Sequence, residues 1–519
     1  MATYNKKRSE LRFMVKTSLD GFNPEDRKLI RSHVMKGKNV GKMGVLGSRQ
    51  HLKFADARRN AASLFSGSGV TNSDGDNESM PLSRISASSL PHAEYGAGIQ
   101  ALESIPPRVG SVASTMYLAD SVKPATVEVV LQFSSIAKAL LFPMESCIFF
   151  DRRAQNWIAP LAIDPAFLHV NIFTSLYYYD AVLPRRPFRE SQRVRHHYHK
   201  AISLLRERLV CDDNEKRLSN TTISIVLSLA GQAFCAGDLK SAVNHIQGIR
   251  KIINLRGGLS SITANEKLIT EILRCDLGIA VYSGSCPILF RNTALLHAYR
   301  MYPKLDVFLD KKTCDRSSKS HQFLTSLMFT HDIQISGQLV AAWNAMSDFC
   351  SVINLAANSE QRIDVGTFLH SMSSIMYNLL DMRFESSSPD ETIRLGLLSF
   401  SCSVFLPWSR LGMPYPHLNS ILRTGFANIG SSISSFPPKL VVWLLMASAV
   451  AVFDESDSAW SHDLLLGAAS IYGINNWHHM QEMLNSLMWI GIVHDKLGKR
   501  VFDVTIGNSK PNCQNHGYF

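Results

Sequence analysis

Residues 219–258 read SNTTISIVLSLAGQAFCAGDLKSAVNHIQGIRKIINLRGG, and this run decides the fold. Ser219, Asn220 and Thr221 are residue types that cap helix N-termini, because a short side-chain oxygen can accept from a free backbone N–H of the first turn. An apolar helix follows through Ile223, Val226, Leu227 and Ala230, and Gly237–Asp238 breaks it. A second helix carries Ala242, Ile246, Ile249 and Ile253 on one face. It stops at Gly257–Gly258, where glycine can take the left-handed conformation that ends helices. Two helices joined by so short a turn form an antiparallel hairpin.

The same pattern extends outward. Upstream, Tyr198, Ile202, Leu205 and Leu209 recur at spacings of 4, 7 and 11, one helical face. Downstream, polar breaks are expected at 311–322, 358–364 and 385–391, with apolar helical stretches between them. Near the end, Met480, Met483, Leu484, Leu487 and Ile490 form another stripe. No run alternates as strands do. The predicted fold class is all-α, with stacked antiparallel helical hairpins forming one large domain over residues 124–507. No sequence repeat at a fixed period accompanies it.

The N-terminal segments differ in character. Residues 1–59 hold 15 Lys and Arg against 5 Asp and Glu, a net +10, whereas the other 460 residues hold 39 against 38 and sum to +1. The basic character belongs to an arm and not to the body. Residues 60–123 are rich in Ser, Gly, Asn and Pro, and the stretch SGSGVTNSDGDNESMPLSRISASSLPH within them has few large apolar residues and no period, so burial cannot offset the entropy of ordering them. They read as a disordered linker, and residues 508–519 as a flexible tail.

The nine cysteines are scattered, odd in number and never spaced as CxxC. This argues against a disulfide framework and for a reducing compartment. The N-terminus lacks the apolar stretch of a secretory signal, and the longest apolar run, 440–453, interrupted only by Ser448, is short of the ~20 residues a bilayer span needs. A soluble chain with a buried helix there, and no membrane partner, is the expectation.

Candidate chemistry is sparse. A structural zinc site needs closely spaced thiolates or imidazoles, and none of those spacings occurs. His196, His197 and His199, and likewise His478 and His479, supply too few ligands and read as polar helix surface. The glycines of GKNVGKMGVLG (37–47) break the phosphate-loop rule twice, in their spacing and in the Met43 that follows Lys42. No GxSxG or HExxH motif is present. No catalytic residue, metal ligand or cofactor is expected, and the chain is read as not an enzyme. Lys6, Lys7, Arg8, Arg27, Lys28, Arg31, Lys36, Lys38 and Lys42 are candidate contacts for nucleic-acid phosphates or for import and protein partners.

Several segments resemble the fungal-specific transcription factor domain, the regulatory part of fungal zinc-cluster transcription factors. ALLFP (139–143) and WIAPLAIDPAFLHVNIFTSLYYYDAV (157–182) look like its opening, with Trp157, Pro160, Leu161, Ala162, Asp164, Pro165, Ala166 and His169 at the matching places. HIQGIRKIINLRGGLSSI (245–262) is the most specific stretch, through His245, Gly248, Arg256, Gly257, Gly258 and Leu259, with Asp276 following. Trp477, Trp489, His494 and Asp495 carry the likeness at the C-terminal end. The six-cysteine zinc cluster of such factors is missing. The resemblance implies a nuclear transcriptional regulator or co-regulator with a non-catalytic helical domain, protein partners, and at most weak, non-specific nucleic-acid binding through residues 1–59. The alternative is a cytoplasmic helical scaffold. Read physically, Asp164–Pro165 starts a helix and Arg256–Gly257–Gly258 ends one.

Overall fold

The computed structural model describes residues 118–149, 159–182, 192–289, 299–309, 311–330, 333–430 and 436–507. The basic arm, the linker up to residue 117, Trp157 and the tail from 508 lie outside these. The described residues belong to one compact unit spanning 88–519.

The unit is helical. α1 (Pro124–Leu141) leads through a 3₁₀ turn to β1 (Ile148–Phe149). α2 (Pro165–Tyr177), α3 (Gln192–Val210), α4 (Asn220–Cys235), α5 (Leu239–Leu255) and α6 (Glu266–Ser283) follow. Next come α7 (Lys311–Thr330), α8 (Gly337–Ala357), β2 (Ile363–Asp364), α9 (Val365–Asp381) and α10 (Pro389–Phe405). α11 (Pro416–Gly430), α12 (Pro438–Ala451), α13 (Ser458–Tyr472), α14 (Trp477–Asn485) and α15 (Gly491–Phe502) complete it. β1 and β2 form a two-residue parallel pair, with Ile148 opposite Ile363. Neighbouring helices pack as pairs at α2–α3, α4–α5 and α7–α8, whereas α6 packs on α9 and α10 on α12.

Local chemistry explains the helix starts. The side chains of Asp164, Ser219, Asp238, Asn265, Asp364, Ser388 and Asn476 each accept from backbone N–H groups of the turn they precede. Pro165 and Pro389 sit at the first helical position, where a missing N–H costs nothing. The capping expected at Ser219 and at Asp164–Pro165 is therefore present.

The end of α5 shows why the sequence reads Arg-Gly-Gly. Gly258 N–H donates to Ile253 C=O at 2.9 Å and Gly257 N–H to Asn254 C=O at 3.1 Å, the two bonds of a Schellman turn. Both glycines have positive φ, 92° and 107°. Arg256 does more than offset the helix dipole. Its guanidinium donates to Leu218 C=O (3.0 Å), Asn220 Oδ1 (2.6 Å) and Ser261 C=O (2.8 Å), tying the end of α5 to the start of α4.

α12 lies in the core: its residues 440–448 are all buried, consistent with its apolar composition on every side. The Trp443 ring lies 4.9 Å from that of Trp343 on α8, and its indole N–H donates to Met488 C=O at 2.8 Å. Two stretches, 214–235 and 337–357, are long and apolar enough to cross a membrane by length and composition. Counting uninterrupted apolar residues overlooks both, because Ser, Asn and Asp punctuate them. Their buried faces pack on other helices of the unit.

Four expectations are corrected. Residues 311–322 form a helix and not a break. Two of its polar side chains meet α8, Ser317 Oγ and His321 at Asp348, and the Ser320 C=O accepts the Trp343 indole N–H at 3.2 Å. Leu209 is exposed, and Val194, Ala201 and Leu205 are the buried residues of α3, because this face turns with the 3.6-residue period. The Met480 stripe is buried throughout, but α14 ends at Asn485, so Leu487 and Ile490 reach the core from the following turn. Residues 118–123, assigned to the linker, lie against the body, with Ala119 N–H donating to Leu161 C=O at 3.1 Å.

Candidate functional site

A cavity of about 360 Å³ opens between α1, α2, α4, α6 and the 3₁₀ turn at Trp408–Leu411. Its construction begins at Asp164. One carboxylate oxygen accepts from Ala166 N–H (3.0 Å) and Phe167 N–H (3.1 Å) and pairs with Arg208 of α3 at 2.6 Å. Although burial works against the charge, the Arg208 guanidinium and these N–H groups hold this carboxyl below its ordinary range. The rotation of α2 is thereby set, and Phe167, Asn171, Thr174 and Tyr178, at spacings of 4, 7 and 11, face the cavity.

Opposite them, α4 presents Ser224, Ser228, Gly231 and Cys235 at the same spacings. These side chains are small, and that is why space remains between the helices. α6 contributes Lys267, Leu268, Glu271, Arg274 and Cys275, and Phe133, Trp408 and Met413 add to the wall. The lining is predominantly apolar and aromatic.

Most of its polar atoms are already engaged. Asn171 Nδ2 donates to Phe167 C=O (2.8 Å), Thr174 Oγ1 to Val170 C=O (3.0 Å), Ser224 Oγ to Asn220 C=O (2.9 Å) and Ser228 Oγ to Ser224 C=O (3.0 Å). Arg274 is buried, and its guanidinium donates to Phe405 C=O (2.8 Å) and Leu141 C=O (2.9 Å), with Glu271 3.8 Å away. It stacks 4.2 Å over the Phe142 ring. Burial pushes the Cys235 thiol up to about 12 and raises that of Cys275 as well, so both stay protonated.

Tyr178 takes part in none of these bonds. It is 4% exposed, and its hydroxyl has no hydrogen-bond partner. It opens a π-helical turn, Tyr178–Val182, that continues α2. Its ring lies 5.0 Å from that of Phe133. Burial pushes its hydroxyl up to about 12, so it is a donor throughout the neutral range.

A second cluster lies where residues 118–122 meet α2 and α3. His169 Nε2 is 3.1 Å from Asp120 Oδ2, and His169 Nδ1 is 2.8 Å from His197 Nδ1. Burial lowers both imidazoles, that of His197 to about 4. The neutral chain runs one way: His197 Nδ1–H donates to His169, whose Nε2–H donates to Asp120. His196 and His199 are exposed, as a polar surface requires, but His197 is half-buried and bonded. Among the described residues, no group of three or more His, Cys, Asp or Glu is placed to hold a metal ion.

The residues singled out in the sequence divide into three sets. The nine basic residues from Lys6 to Lys42, and Trp157, lie outside the described residues. Asp164 and Pro165 begin α2, while Arg256, Gly257 and Gly258 end α5. His245 is half-buried on α5, its imidazole lowered by burial. Asp164 and Arg256 converge on the first turn of α4, where Arg208 Nη1 also reaches Thr222 Oγ1 at 3.4 Å. That convergence is architectural. At the C-terminal end, Asp495 accepts from the Trp489 indole N–H and from Gln481, each at 2.8 Å, and His494 bridges Ile490 N–H and Ser403. Tyr178 and Gly231 escaped notice, although LYYYD (176–180) at the end of an apolar helix was a visible signal.

No family model, no curated protein and no solved structure matches this chain.

Proposed function

We propose that this chain is a transcriptional regulator or co-regulator that acts through a non-catalytic helical body and has no zinc-cluster DNA reader of its own. The observation that carries the reading is the likeness of 245–262, HIQGIRKIINLRGGLSSI, to the fungal-specific transcription factor domain. The concentration of positive charge in residues 1–59 supports it, since basic arms serve nuclear import and contact acidic partners or phosphates. The protein works in the nucleus, recruited by a protein partner, and its arm adds weak, sequence-tolerant affinity for nucleic acid.

The scaffold reading draws on a different observation, the absence of any zinc-ligand spacing among the nine cysteines. One experiment separates the two. A tagged full-length chain is localised, its partners are captured, and its chromatin occupancy is mapped. Nuclear signal with chromatin proteins among the partners supports the regulator. A strictly cytoplasmic signal in every growth condition, with no chromatin protein captured, replaces it with the scaffold.

A further inference from the structure

We infer that the cavity beside the first turn of α6 binds a small amphipathic anion, an alkyl or aryl carboxylate whose apolar body lies among the aromatic walls and whose carboxylate meets Lys267. The inference goes beyond the regulatory reading and does not rest on it, because it concerns only what this cavity holds.

The space comes first. Protein interiors leave few voids larger than a water molecule, and about 360 Å³ falls within the size range of small-molecule sites. The small side chains of Ser224, Ser228, Gly231 and Cys235 keep it open, and a Cβ added to Gly231 would meet nothing within 4 Å. The π-turn at Tyr178–Val182 supplies both of its end residues to the lining, and such helix irregularities are often found at functional sites. Phe133, Phe167, Phe234 and Trp408 are the large side chains on offer, so most of an occupant's surface is apolar.

The charge of the occupant follows from α6. Among the described residues, the charged members of the lining are Lys267, Glu271 and Arg274, at spacings of 4 and 7 on one face of that helix. Two cations against one carboxylate leave this face positive. Glu271 lies 3.8 Å from Arg274, which is itself buried and committed to the Phe405 and Leu141 carbonyls. Lys267 is the partly exposed cation, and an ammonium has three donors, so a bond it already makes does not preclude another. The helix adds to it. Asn265, Lys267 and Leu268 bring the first turn of the 18-residue α6 to the cavity, and with it the positive end of the helix dipole. Glu266, the acidic residue of that turn, is directed instead at Gly366 and Asp364 by α9. Gln232 is an uncharged amide and favours neither sign.

The test uses the full chain and the neutral fluorophore N-phenyl-1-naphthylamine, whose binding gives a blue-shifted rise in emission. Decanoate, decanol and decylamine share one chain and differ in the head group, and each competes for the site at neutral pH below its micellar concentration. The wild type favours decanoate over decanol by about tenfold, the low end of what a hydrogen bond to a charged group is worth, since the carboxylate must also shed water. Decylamine competes least well. Lys267→Gln still binds the fluorophore and decanol but loses the preference for decanoate. Gly231→Leu fills the cavity and lowers fluorophore affinity by about tenfold or more, while its circular dichroism and melting temperature hold or improve, leucine being the better helix former. The inference is overturned by no emission change with the wild type, by decanol or decylamine competing as well as decanoate, by a decanoate preference that survives Lys267→Gln, or by undiminished fluorophore binding in Gly231→Leu.

Discussion

Two buried ionisable side chains pull the acid stability of the protein in opposite directions. His494 is 0% exposed, and its imidazole is pushed down to about 3, first by burial and then by the nearby Arg410 guanidinium. The unfolded chain takes up this proton near pH 6.5 and the folded one does not, so stability is lost as pH falls from 6.5 toward 3, at ~1.4 kcal/mol per pH unit. Asp276 behaves oppositely. It is buried among Ile288 N–H, Leu289 N–H and the Tyr377 hydroxyl, and burial pushes its carboxyl up to about 6. Its contribution is complete below its ordinary value and is lost as pH rises through 6. Urea melts at pH 5.0 and 6.5 therefore separate two variants. His494→Asn narrows the difference in unfolding free energy between those pH values by about 2 kcal/mol, whereas Asp276→Asn widens it by a similar amount. Equal slopes for wild type and both variants would show that neither group titrates as its surroundings dictate. Arg256 makes a third test. Its fork reaches three acceptors on two segments, and Arg256→Lys cannot span them, so the variant should lose about 1–3 kcal/mol in chemical denaturation despite keeping its charge.

In α5 and the turn that ends it, glycines have opposite roles, and the same substitution distinguishes them. Gly258 has φ 107° in the turn that ends the helix, and Gly258→Ala should cost more than about 1 kcal/mol. Gly248 sits in the middle of the helix with nothing within 4 Å of an added Cβ, and Gly248→Ala should gain about 0.5–1 kcal/mol. Thermal melts read both, and melting shifts of the same sign would contradict the assignment. A different constraint acts on α6. A Cβ at Gly278 would lie 1.9 Å from Trp408 Cζ3, so Gly278→Ala must displace the indole that also walls the cavity. A loss of about 1–3 kcal/mol is expected in thermal or chemical denaturation. Helix starts were legible because a cap is a local event, a side-chain oxygen meeting an N–H two or three residues on. The helix at 311–330 was not, because Ser317 and His321 find their partner, Asp348, on another element.

For the whole molecule, charge divides where the organisation does, with +10 in residues 1–59 and +1 in the remainder. Any affinity for nucleic acid should follow that division. In a mobility-shift series, the full-length chain is expected to bind weakly, without sequence preference and with steep loss on added salt, as counterion release requires, and a 60–519 truncation is expected not to bind. Tight, salt-insensitive binding of one DNA sequence by the truncation would place a reader in the helical body instead.

The sequence by itself determined what neighbours along the chain decide. Apolar residues three and four apart, and the caps Ser219, Asp164 and Asp238, specify helices and hence the all-α class. Arg256–Gly257–Gly258 specifies where α5 must stop. Pairing of residues far apart was decided only by the tertiary structure. Asp120, His169 and His197 join across 77 residues of chain, and Asp276 finds Tyr377 a further 101 residues along. The cavity belongs to the same order: Phe133, Tyr178, Gly231, Arg274 and Trp408 carry no shared spacing. Each has an ordinary local role, and only the packing of α1, α2, α4 and α6 leaves a space between them.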